Sequence, residues 1–99
     1  MEEGIVQQYA EAHADAVVRG DMEHATADFV EEMRPQVPEI AKALPMPVAT
    51  AEVESIDAGE DSSTVEIRYD GEDGRSQRIR TFWEDRGDRP LIVGGEPID

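Results

Sequence analysis

No cysteine occurs anywhere in the 99 residues, and neither does asparagine. The first absence excludes disulfides, thiolate nucleophiles and cysteine-ligated zinc. The second removes every N-glycosylation site. Positive charge is scarce: nine Lys and Arg stand against 24 Asp and Glu, a formal net charge of −15, and Lys42 is the single lysine. A field this negative suits neither a phosphate backbone nor an anionic membrane surface, so no nucleic acid and no membrane is expected as a partner. A GC-rich genome or adaptation to high salt produces such a bias, and the codon explanation is favoured. Long apolar runs are also missing, against the ~20 residues needed to span a bilayer. The Met-Glu-Glu-Gly start has neither a basic n-region nor an apolar h-region, so a cytoplasmic location is expected.

Catalytic signatures are absent as well. The sequence contains no Gly-x-Gly-x-x-Gly, no phosphate-binding loop and no Gly-x-Ser-x-Gly elbow. Phosphoryl transfer, nucleotide cofactors and serine hydrolysis therefore have no support. His13 and His24 with scattered carboxylates give no zinc pattern, so neither metal nor cofactor is expected. Asp70-Gly-Glu-Asp-Gly has the look of a calcium loop but carries Arg75 where the loop glycine belongs, and it reads as a hairpin turn. Arg86-Gly-Asp reads as turn chemistry too.

What is present is a single domain over residues 1–99 with a change of hydrophobic period near residue 45. Acidity does not divide it: residues 1–45 carry net −7 and residues 46–99 net −8. In the first half, Val6, Tyr9, Ala10, His13, Ala16 and Val17 make one helical stripe. Gly20 stops that helix and Asp21 caps the next, whose stripe is Met22, Ala25, Phe29 and Met33, ending before Pro35. Pro38 opens a short third helix through Val37, Ile40, Ala41 and Leu44, closed by Pro45 and Pro47. Beyond Pro47 the period becomes two. Strands are expected at 48–56, 64–69, 77–85 and from Leu91, joined by turns short enough to require antiparallel neighbours. The expected fold is α+β, with three N-terminal helices packed on a four-stranded antiparallel meander sheet. In the third strand the preferred register points Ile79, Thr81 and Trp83 inward. A one-residue slip would bury Arg80, Phe82 and Glu84 at a larger charge cost.

This order resembles the nuclear-transport-factor-2-like superfamily, which includes ketosteroid isomerases and polyketide-cyclase-like proteins. The likeness is carried by Ile-Val-Gln-Gln-Tyr (5–9), the Gly20-Asp21 break, Ile40-Ala-Lys-Ala-Leu-Pro before the first strand, and Arg80-Thr-Phe-Trp-Glu followed by a turn and Leu91-Ile-Val. It implies a short, minimal member with a cone-like sheet around helices and an apolar pocket at the open end. It also implies a homodimer through the outer sheet face, here Thr64, Glu66, Arg68, Arg78, Arg80 and Glu84. In the isomerases the acidic general base lies in a region for which residues 29–38 leave no space. Their second acidic residue corresponds to Arg80, and only Tyr9 has a counterpart, the oxyanion-binding tyrosine. Ketosteroid isomerase chemistry is therefore not expected.

The candidate ligand-binding residues are Tyr9, His13, Phe29, Tyr69 and Trp83. Tyr9 and His13 lie one turn apart on the same helical face, where small Ala10 and Ala16 leave volume for a small apolar ligand. The bland alternative packs Tyr9 and Trp83 in the core and satisfies His13 with a neighbouring carbonyl. A proton-transfer reading adds Asp28 or Glu84 as base, if either turns inward. Three functions follow: a non-catalytic dimerising module with a shallow pocket, an isomerase or cyclase using Tyr9 and His13, or an acidic domain that binds a basic protein. The first is favoured, because the catalytic acids of the enzyme branch are missing.

Overall fold

The computed structural model describes residues 2–98. Helix α1 (Glu3–Arg19) is followed by the short α2 (Met22–Ala27), a 3₁₀ segment (Glu31–Gln36) and α3 (Val37–Ala41). Four strands complete the chain: β1 (Val48–Ala58), β2 (Ser62–Gly71), β3 (Ser76–Asp85) and β4 (Pro90–Ile98). They form one antiparallel sheet in the order β1-β2-β3-β4. The architecture is thus α+β, helices first and a meander sheet after. No helix among the described residues is long and apolar enough to cross a membrane.

Local chemistry explains the helix ends. Gly20 takes φ 75°, which costs glycine nothing. Its N–H bonds the Val17 carbonyl while the Asp21 N–H reaches back to Ala16 at 2.8 Å, a Schellman pair. The Asp21 carboxylate then accepts from the His24 N–H at 3.1 Å and starts α2.

The second stripe behaves differently from its expected single helix. α2 stops at Ala27, and Phe29 leaves the helix to bridge Ile92 of β4 in parallel. The Ile92 N–H donates to the Asp28 carbonyl at 2.7 Å, and Val30 N–H donates to the Ile92 carbonyl at 2.9 Å. A six-residue helix has little stability of its own, so these tertiary bonds end it where they form.

β1 and β2 run beyond the expected 48–56 and 64–69, because ladder hydrogen bonds continue past the last apolar residue, whereas β3 and β4 begin within one residue of expectation. The preferred register of the third strand holds: Ile79, Thr81 and Trp83 are buried, while Arg78 and Arg80 face out. Helix α1 lies mainly on β1 and closes one sheet face over Val6, Ala10, Val65, Ile67, Trp83 and Ile92. Register shifts near Ala49 and Glu54 in β1 and near Val93 in β4 mark bulges, which bend a sheet.

Candidate functional site

The candidate residues converge, and the element that gathers them is the end of α2. Asp28 is 2% exposed there, one of the few polar residues in the interior. Its Oδ2 lies 2.8 Å from His13 Nδ1 of α1, and its Oδ1 lies 2.6 Å from Arg89 Nη2 of the β3–β4 turn. Three distant stretches of chain are pinned to one carboxylate. His24 Nε2, one helical turn before Asp28, stands 3.6 Å from the same Oδ2. Burial by itself pushes the Asp28 carboxyl up. Hydrogen bonds from His13 and Arg89, with the favourable fields of both, outweigh it and hold the group below its ordinary 3.8. An ionised carboxylate only accepts, so His13 Nδ1 is the donor.

The aromatic candidates pack around this pair. The His13 ring meets Phe29 edge-on at 5.9 Å and Trp83 at 6.1 Å. Tyr9 joins from outside: the Arg89 guanidinium carbon sits 4.6 Å from its ring centroid, a cation–π contact that helps orient the arginine. Tyr69 is buried in the same core, and burial and the Asp28 charge both push its phenol up. Trp83 is fully buried, its Nε1 donating to Thr81 Oγ1 at 2.8 Å, and that hydroxyl donates to the Val65 carbonyl at 2.8 Å. Among the described residues no buried side-chain nitrogen or oxygen lacks a partner.

His13, Phe29, Tyr69 and Trp83 are each at most 4% exposed, and Tyr9 is half-buried. A surface depression of about 380 Å³ beside them is lined by Asp21, Glu23, His24, Ala27, Asp28 and Arg89, none of the five. Of the two proposed bases, Asp28 turns inward, whereas the Glu84 side chain is 46% exposed and pairs with Arg86. A carboxylate with a lowered pKa and both oxygens engaged is a weak general base, since that work calls for a raised one. Among the described residues no group of three or more His, Asp or Glu is arranged to hold a metal ion.

Two members of the cluster escaped sequence reasoning. Arg89 follows the Arg86-Gly-Asp turn, and nothing local marks it as Asp28's partner across 61 positions. The His24 side chain is 40% exposed, and its i, i+4 spacing to Asp28 was a usable signal. No protein-family profile, curated protein or solved structure matches this chain.

Proposed function

We propose that this protein is a non-catalytic, self-associating module, a minimal relative of the nuclear-transport-factor-2-like proteins, in which two copies pair through the open face of the sheet. One contrast carries the reading: the polar cluster inside is closed and internally satisfied, while the opposite face of the sheet is uncovered. The bulges in β1 and β4 support a curved, cone-like sheet. On the open face Phe82 and Leu91 are only half-buried, beside rows of charge paired across strands. Arg80 bridges Glu66 and Glu96, and Arg68 bridges Glu52, Glu54 and Asp70. Those in-chain pairs lower the electrostatic cost of bringing two acidic copies together.

The enzyme reading keeps one specific observation, the 2.8 Å His13–Asp28 contact. It is less well supported, because His13 is buried and the depression beside it is lined by His24, Asp28 and Arg89 but not by His13. Sedimentation equilibrium tests the proposal: the wild type is expected to dimerise, more tightly as salt screens the net charge, and Phe82→Glu to remain monomeric. A wild type monomeric at every salt concentration would refute it. A model ketosteroid should be left unchanged, and turnover lost in His13→Gln would restore the enzyme reading.

A further inference from the structure

The two edges of the sheet are protected unequally. β4 carries Pro90, Pro97 and the Gly94-Gly95 pair, and the Phe29 bridge covers part of its edge. β1 has bulges near Ala49 and Glu54 but no proline or glycine over 48–58, and among the described residues no backbone group outside the sheet bonds to its edge between Ala49 and Ile56. Facing that edge is a groove of about 580 Å³, walled on the α1 side by Glu11, Ala14, Asp15 and Val18 and on the other by residues 49–53 without a gap. Successive strand side chains point to opposite faces, so a space lined by five consecutive residues lies against the strand's backbone edge. A second hollow of about 210 Å³ continues it, between Glu3 and Gln7 of α1 and residues 53–56. Together they leave the edge open from Ala49 to Ile56.

The rim chooses the occupant. Glu3, Glu11 and Asp15 line the helix side, and Glu52 and Glu54 the strand side. Asp15 is paired with Arg19 and the two strand acids with Arg68, which leaves Glu3 and Glu11 without an ion pair among the described residues. A second copy of this chain would bring the same unbridged Glu3 and Glu11 to the same edge and be repelled there. We infer that this seam takes an extended, lysine- or arginine-rich peptide segment of another protein, added as a fifth strand beside β1. Main-chain hydrogen bonds to the unpaired edge supply affinity, and the acidic rim selects basic side chains. This seam shares Glu52 and Glu54 with the sheet face proposed for self-association but neither Phe82 nor Glu11 and Asp15, so Phe82→Glu and Glu11→Lys/Asp15→Lys test the two readings separately.

The test uses the whole chain and an alternating Lys-Val octapeptide, followed by titration calorimetry and amide chemical shifts. Binding is expected, with the largest shifts along 49–56. N-methylation of alternate peptide nitrogens, which removes one hydrogen-bonding edge, should weaken it by about tenfold or more. The Glu11→Lys/Asp15→Lys variant, altered at two exposed positions, should weaken it similarly, and a Glu-Val octapeptide should not bind. Equal binding of the N-methylated peptide, shifts confined to the outer sheet face, equal affinity for Glu-Val, or no binding at about 1 mM would each overturn the inference.

Discussion

Arg89 and Arg80 each meet a carboxylate, in opposite surroundings. Asp28, under Arg89, keeps 2% of its side-chain surface in solvent, whereas Glu66 and Glu96, beside Arg80, keep 30% and 50%. The inner carboxylate has surrendered its water and depends on His13 and Arg89 for its stability. The outer ones are still hydrated and lose little when a partner leaves. Breaking a buried pair typically costs about 3–5 kcal/mol because it strands a charge. An exposed pair is worth about 0–1 kcal/mol. The solvent around an ion pair, more than its distance, sets what it does for this fold.

The largest effect is expected from Asp28→Ala, which leaves His13 and Arg89 without their anion. Unfolding free energy measured in urea should fall by about 3–5 kcal/mol. A loss under about 1 kcal/mol would erase the distinction between the two regions. Arg89→Met should cost less, about 1.5–3 kcal/mol, because Asp28 keeps its bond to His13 and the methionine stem still packs on Tyr9.

Acid titration sharpens the comparison. The folded Asp28 value is lowered, so its stabilisation is complete above the ordinary 3.8 and is lost as pH falls through the lower folded value. Stability followed from pH 5 downward should therefore decline less steeply in Asp28→Asn than in the wild type. At the alkaline end the sign reverses. Tyr69 is raised, so its contribution is complete below 10 and declines as pH climbs beyond it. Tyr69→Phe should flatten that decline.

The smallest effect belongs to the outer face. Arg80→Ala should change stability by about 0.2–1 kcal/mol, and the change should shrink in about 1 M salt, where screening acts over ~3 Å. A larger or salt-independent loss would mean that this arginine contributes through packing of its stem.

Local chemistry in the sequence determined where α1 ends, where α2 begins, which residues alternate along β2 and β3, and the α+β order. Gly20, Asp21, the 64–69 alternation and the inward Ile79, Thr81 and Trp83 all act within a few residues, through backbone angles, capping bonds and side-chain period. Tyr9, His13, Phe29, Tyr69 and Trp83 were legible as one neighbourhood because they share apolar stripes. What made that neighbourhood a closed charged cluster was decided in three dimensions. Asp28 is joined to His13 across 15 positions and to Arg89 across 61, and the bridge to Ile92 ends a helix whose stripe continued to Met33. No local pattern encodes such bonds. They require the sheet to hold Ile92 of β4 beside the segment that follows α2, where a buried carboxylate must find its donors within the protein.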